Sequence, residues 1–184
     1  IGPPLGHLKK AAHALLDVLH EDDSLALLTF ADRVTLLAGP DLPRGEVHAL
    51  IDAATARHTT SLVDAAFTAL SMADPTRGRT LILLFSDGQD VGSWLASRRV
   101  LDVARRSDVV VHAVATRSEG ADLRFLRELT SSTGGELWLT DHRDLEQALP
   151  RAVEEFRSRY TLQFEAGSKA GAGWRQIRVK LRKG

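Results

Sequence analysis

The fold class of this chain is indicated most clearly by residues 80–88, Thr80-Leu81-Ile82-Leu83-Leu84-Phe85-Ser86-Asp87-Gly88. Its apolar run is unbroken until it reaches a serine, an acid and a glycine. Such a run is typical of a strand buried on both faces, as in a parallel sheet that is covered by helices. Ligands of these sheets bind beyond the carboxyl ends of the strands, where Asp87 would lie. An acid followed by a glycine suits a site for a metal or a polar ligand.

Helices and strands alternate along the rest of the chain. Apolar periodicity and turn residues predict helices over residues 5–19, 45–54, 62–72, 93–106, 121–132 and 144–159. They predict strands over residues 24–30, 34–37, 80–85, 109–115 and 136–139, and a terminal hairpin formed by residues 160–164 and 176–181. This order predicts a three-layer, doubly wound α/β fold whose sheet is mostly parallel, with an antiparallel edge strand. We expect one domain over residues 1–184, with an α/β body (1–158) and a C-terminal β-hairpin extension (159–184).

The first predicted helix has no strand before it. In a doubly wound sheet the first strand usually lies in the middle. A sheet without that strand would have two unpaired edges and would lose much of its core. We therefore expect the central position to be filled by an upstream segment or by a strand from elsewhere.

Composition excludes several classes of function. The 24 basic and 24 acidic residues cancel, so no overall field attracts nucleic acid or an anionic membrane. The absence of cysteine excludes thiol nucleophiles and zinc thiolates, and the scattered histidines show no zinc-ligand spacing. No apolar run approaches the ~20 residues of a membrane span. His58 lies closest to the predicted site and is interpreted as a loop residue.

Several motifs, taken in order, resemble those of the von Willebrand factor A domain. Residues 27–32 (Leu-Leu-Thr-Phe-Ala-Asp) resemble its second strand, residues 60–66 its Thr-x-Leu-x-x-Ala segment, and residues 83–88 its strand that ends in Thr-Asp-Gly. Residues 156–160 and 175–181 look like a bacterial branch of this family that carries an extra terminal hairpin. The resemblance covers nearly the whole chain, and it implies a Rossmann-like fold and an extracytoplasmic location.

The resemblance also implies a metal-ion-dependent adhesion site. In the family, loops at the carboxyl edge of the sheet hold Mg²⁺ or Mn²⁺, and the ion accepts an acidic side chain of a partner protein. By position, Thr60 would be the ligand from the second loop and Asp87 the ligand from the third. The Asp-x-Ser-x-Ser motif of the first loop does not occur in this chain. In the family, that motif directly precedes a segment like residues 1–5. We therefore expect a single missing segment to account for both the absent motif and the absent central strand.

Both predicted ligands have a purely structural alternative. Thr60 could cap the helix that follows it, and Ser61 with Asp64 has the pattern of a capping box. Asp87 could be a turn residue that is held by its own backbone.

Other polar and aromatic residues near the predicted site are interpreted as structural. We expect Asp90 to be a solvated loop acid, with a hydrogen-bond partner of the metal ligands as the alternative. We expect Asp32 to be a turn acid of the first hairpin. Trp94 is expected to pack against its own helix, with contact to a partner protein as the alternative. Arg98 and Arg99 are expected to form a solvated helix face.

Three functions remain open from the sequence. The favoured one is a protein-interaction and adhesion module that acts through a divalent metal. The second is a metal-free scaffold in which Thr60 and Asp87 bond only to the backbone and to each other. The third is a hydrolase or a nucleotide-dependent enzyme on a related fold. The sequence contains no nucleophile-elbow, phosphate-loop or dinucleotide-binding motif, so we predict that the protein is not an enzyme.

Overall fold

A computed structural model describes residues 5–55, 59–116, 121–140, 145–162 and 178–180. The helices and strands alternate as the sequence predicts. The helices are α1 (Leu5–Val18), α2 (Arg44–Ala53), α3 (Leu62–Ser71), α4 (Ser97–Ala104), α5 (Arg124–Ser132) and α6 (Leu145–Arg157). The strands are β1 (Leu27–Phe30), β2 (Val34–Ala38), β3 (Leu81–Ser86), β4 (Val110–Thr116) and β5 (Leu137–Thr140). None of the helices in these residues is both long and apolar enough to cross a membrane.

The described strands form two sheets. The larger sheet is parallel and has the order β3-β4-β5, with Leu81 opposite Val110 and Ala113 opposite Leu137. The smaller sheet is the antiparallel pair β1-β2. The predicted α/β class is confirmed, and the antiparallel strands form a separate pair among the described residues.

Strand β4 lies between two helical layers. On one face Val111, Ala113 and Ala115 belong to a core that α3, α4 and α5 complete. On the other face Val114 packs in a second core together with residues of α1 and α6. Each of these β4 side chains is at most 1% exposed, as expected for a strand with neighbours on both edges and helices on both faces.

Two helices connect the two sheets. Helix α1 packs Leu16 against the β1-β2 pair and Ala11 against the parallel sheet. On the opposite face, Leu62 of α3 belongs to a core that includes both Phe30 of β1 and Leu84 of β3. Strands β1 and β3 are not paired with each other, so each has one edge without a partner among the described strands. This is the arrangement that we expect of a sheet that lacks its central strand.

Strand β3 is less buried than its sequence predicts. Leu84 and Ser86 are buried, but Leu83 and Phe85 are only partly so. The prediction of a strand buried on both faces is therefore wrong for part of β3. The physical reason is its position, because β3 is the last strand at one edge of the described parallel sheet.

Two helices start later than predicted, and the terminal hairpin is only partly described. Helix α5 begins at Arg124 rather than at residue 121. Helix α4 begins at Ser97 rather than at residue 93, since Ala96 has extended backbone angles. Residues 160–162 and 178–180 of the predicted hairpin are described and are not assigned to a strand, while its residues 163–164, 176–177 and 181 lie outside the described residues. The division into a body and a hairpin extension stays a prediction.

Candidate functional site

The segment before α3 and the loop after β3 are bonded to each other at the carboxyl edge of the sheet. The backbone N–H groups of Val91 and Gly92 both donate to the carbonyl oxygen of Thr60, each over 3.0 Å. A Cβ atom on Gly92 would lie only 2.9 Å from the Ser61 hydroxyl oxygen. The loop that carries Asp87 is therefore held against the segment that contains Thr60.

The loop after β4 reaches the same edge through a glycine. Gly88 has a φ of +82°, and a Cβ atom there would lie 2.4 Å from a methyl carbon of Leu123. The positive φ is what favours glycine at this turn, since the Leu123 methyl group belongs to a flexible side chain that can shift. In the same loop, the Arg124 guanidinium hydrogen-bonds the carboxylate of Asp122 and lowers its pKa to about 2. Asp122 is thus engaged by a neighbouring cation.

The first N–H groups of α3 are capped by side chains of the loop after β3. Asp90 Oδ1 accepts from Leu62 N over 2.9 Å. Ser93 Oγ accepts from the N–H groups of Val63 and Asp64 and donates to Asp90 Oδ1 over 2.6 Å. Asp90 is an exposed loop acid, as the sequence predicts, and its carboxylate has a capping role in addition. A helix N-terminus favours such a negative charge.

In return, the side chain of Asp64 in α3 accepts hydrogen bonds from the backbone of the loop after β3. Its Oδ2 accepts from Trp94 N and its Oδ1 from Leu95 N, both over 3.0 Å. The predicted capping box is not formed, since the N-cap residue is Ser61 and its side chain makes no capping bond. We call the group of Asp64, Asp90 and Ser93 the loop clamp. It explains why the chain is not helical at residues 93–96.

Asp87 retains one carboxylate oxygen without a described protein partner. Its Oδ1 accepts from Gln89 N over 3.1 Å, which is the turn interaction considered as the alternative to a metal. No described hydrogen bond involves Oδ2. Ser86 Oγ accepts from Gly88 N over 3.1 Å and supports the same turn. The turn therefore engages only one of the two carboxylate oxygens of the half-buried Asp87. The other oxygen, Oδ2, is able to bind a ligand.

Two hydroxyl groups at the edge also have no described partner. The hydroxyl of Thr60 makes no hydrogen bond within the described residues, although its backbone carbonyl holds the neighbouring loop. The hydroxyl of Ser61 is fully buried and unpaired there. A buried hydroxyl without a partner is costly and rare. Thr60 does not act as the helix cap, because Ser61 holds that position.

The structure thus brings Thr60 next to the loop that contains Asp87. The role of these two residues as metal ligands stays a prediction. Across the described part of the chain, no group of three or more His, Cys, Asp or Glu side chains could hold a metal ion. A site built from hydroxyl groups and a single carboxylate is not such a group. His58 lies outside the described residues.

The structure agrees with the role predicted for Asp32 but not with the packing predicted for Trp94. Asp32 lies in the exposed turn between β1 and β2, 3.6 Å from Arg33 Nε, which agrees with a structural role. Trp94 does not pack against its helix, because it is 94% exposed. The prediction of internal packing for Trp94 is wrong, since the loop clamp ties the backbone of this residue to Asp64.

Replacing Asp64 by alanine is expected to destabilise the protein by about 1–3 kcal/mol, the usual cost of losing hydrogen bonds to a charged group. The amides of Trp94 and Leu95 should also exchange with solvent faster. Urea denaturation and hydrogen exchange measure both effects. Asp102→Ala is a matched control, because Asp102 forms an exposed pair with Arg105 that is worth only about 0.3–0.5 kcal/mol. Equal losses in the two variants would contradict the role of the clamp.

Comparison with known proteins supports the fold. No protein-family model matches the sequence, and no curated protein does. The BatB protein of Bacteroides thetaiotaomicron matches with a TM-score of 0.67 and 13% identity, over 84% of this chain and 89% of that one. Proximal thread matrix protein 1 from the mussel byssus matches with a TM-score of 0.69 and 21% identity, over 82% of this chain and 40% of that one.

A von Willebrand factor type A protein from Catenulispora acidiphila matches with a TM-score of 0.67 and 16% identity. The match covers 80% of this chain and 37% of that one. These TM-scores establish the fold, whereas such low sequence identities do not establish a function. Together with the element order and the parallel sheet, they show that the chain has a von Willebrand factor A-like fold.

Proposed function

We propose that this domain is a protein-interaction module that holds Mg²⁺ or Mn²⁺ at the carboxyl edge of its sheet and binds an acidic side chain of another protein through that ion. The proposal rests on two oxygen atoms that have no described hydrogen-bond partner. They belong to two segments that are hydrogen-bonded to each other. These atoms are the Thr60 hydroxyl oxygen and Asp87 Oδ2. The bonds from Val91 and Gly92 to the Thr60 carbonyl hold the two segments together.

The chemistry of these donors fits the proposed ion. Mg²⁺ prefers oxygen ligands in an octahedron and keeps several waters. One carboxylate and one hydroxyl neutralise only part of its charge, so the ion can accept a carboxylate from a partner. The other acids of the edge do not compete, because Asp64 and Asp90 are engaged in the loop clamp.

A related structure supports the same chemistry. The mussel protein proximal thread matrix protein 1, which is 20% identical to this chain, has been solved with zinc in its metal-ion-dependent adhesion site. The arrangement of this chain's edge is compatible with such a site. We propose that further ligands come from the segment that fills the space between β1 and β3, where the family places its first loop.

A metal-free scaffold remains the second candidate. The bond from Gln89 N to Asp87 Oδ1 favours it, since this bond gives Asp87 a structural role without any ion. The two functions differ in one property that can be measured, which is saturable binding of a divalent ion.

Calorimetric titration with Mg²⁺ and then with Mn²⁺ tests the proposal through Thr60→Val, which removes the hydroxyl and keeps the shape. We expect the affinity for the ion to fall by more than the ~10–100-fold that an outer-shell partner contributes. Thr59→Val is the control, because Thr59 lies beside Thr60 and has no proposed ligand role. Equal affinity in the two variants, or no binding by the unaltered protein, would favour the scaffold.

A further inference from the structure

Two large apolar side chains project into solvent from the loop that carries Asp87. Trp94 is 94% exposed and Val91 is 71% exposed. The backbone N–H of Val91 donates to the carbonyl oxygen of Thr60, so this exposed apolar surface begins beside the proposed metal site. Tryptophan buries ~150–250 Å² when it packs, and it is enriched at the centres of protein interfaces. An exposed tryptophan at this position therefore suits contact with another molecule.

The backbone around Trp94 is already fixed. The carboxylate of Asp64 accepts from the N–H groups of Trp94 and Leu95, and the preceding residue, Ser93, accepts from the first turn of α3. The backbone of this loop therefore loses little conformational freedom when Trp94 binds a partner, so more of the contact energy becomes affinity. The loop clamp thus presents Trp94 instead of burying it.

Positive charge follows directly after this loop. Arg98 and Arg99 lie in the first turn of α4, which contains no acid, and both are exposed. The positive end of a helix dipole disfavours cations there. Neither arginine has an ion pair within the described residues, whereas Arg105, which directly follows the same helix, pairs with Asp102 and Glu128. The two arginines therefore remain available to an external anion.

We propose that Trp94, Arg98 and Arg99 form a second contact beside the metal site. This contact takes a partner segment in which acidic side chains alternate with aromatic or large aliphatic ones. The partner's apolar group covers Trp94, and its acids face the arginines. The charge of Arg98 and Arg99 selects such a segment over a basic or a purely apolar one. The inference rests on the proposed function, because the same partner is expected to supply the carboxylate that binds the ion.

The test uses a phage-displayed library of short random peptides, selected on the immobilised protein in Mg²⁺ and, in parallel, in EDTA. We expect the enriched peptides to combine Asp or Glu with Trp, Phe or Leu. A synthetic copy of the strongest peptide is then titrated by fluorescence polarisation. Trp94→Ala should weaken its binding roughly 30-fold or more, as at an interface hot spot. Arg98→Glu with Arg99→Glu should weaken it as well and reduce its dependence on salt.

Tyr160→Ala is the matched control, because Tyr160 is 93% exposed and lies beyond α6. It should leave peptide binding unchanged. Circular dichroism and Mg²⁺ calorimetry on Trp94→Ala should show an intact fold and unchanged ion binding. Equal affinity in the Trp94 and Tyr160 variants, or a library that yields no peptide dependent on Trp94, would overturn the inference and leave the metal site standing.

The remaining outcomes separate the two proposals. Peptides that depend on Trp94 and are enriched equally in EDTA would support the second contact while contradicting the metal-dependent function. Sedimentation of the unaltered protein tests a second copy of the chain as the occupant. Self-association that disappears in Trp94→Ala would overturn the assignment of this surface to an acidic partner segment.

Discussion

Asp87→Ala is expected to abolish saturable binding of Mg²⁺ and Mn²⁺ while lowering the free energy of unfolding by at most about 1 kcal/mol. The carboxylate is half-buried at the end of β3, and its only described bond is the one that Oδ1 accepts from Gln89 N. Little packing is therefore lost, but the only carboxylate of the proposed ligand set is removed. Calorimetric titration and urea denaturation measure the two quantities.

Two further variants make this result specific. Asp87→Asn keeps an oxygen that can accept from Gln89 N and removes the charge, so it should abolish ion binding at unchanged stability. Asp32→Ala removes an exposed acid from the turn between β1 and β2 and should leave ion binding intact. Unchanged ion affinity in Asp87→Ala would contradict the assignment of Asp87 as a ligand.

Leu126→Ala is expected to destabilise the protein by about 2–5 kcal/mol, the range measured for buried leucines. Leu126 is 0% exposed on α5 and belongs to the core that α5 shares with β4. Its truncation removes packing and leaves a cavity between a helix and the most buried strand. Chemical denaturation measures this loss of stability.

Leu83→Ala provides the comparison. Leu83 is only partly buried, because β3 has one edge without a described partner strand. We expect it to cost less than about 2 kcal/mol, below the usual range for a buried leucine. A cost equal to that of Leu126→Ala would show that β3 is covered in the folded protein by a segment that packs against that edge.

The sequence predicted the features that depend on local patterns. Apolar periodicity placed α1 and α3 almost at their observed bounds, and the unbroken run at residues 81–85 identified β3. The turn at Asp32 identified the hairpin of β1 and β2. These patterns succeed because each one arises from the burial of a single helix face or strand.

The loop clamp could not be predicted in this way. Asp64 bonds to the backbone of a residue 30 positions away, and Asp90 bonds to the backbone of Leu62, 28 positions away. Nothing in the local sequence distinguishes these acids from solvated ones. The late start of α4 and the exposure of Trp94 both follow from these distant contacts. A serine and two acids close to a predicted helix start and a strand end were the only available signal.

Nuclear magnetic resonance with substoichiometric Mn²⁺ tests the central claim most directly, because the paramagnetic ion broadens the signals of nearby amides. An ion held by Thr60 and Asp87 should selectively broaden the signals of residues 60–62 and 87–92. The acidic turn at residues 21–23 offers a second place where the ion could bind nonspecifically. Broadening centred on that turn, or no selective broadening at all, would contradict a metal site at the carboxyl edge of the sheet.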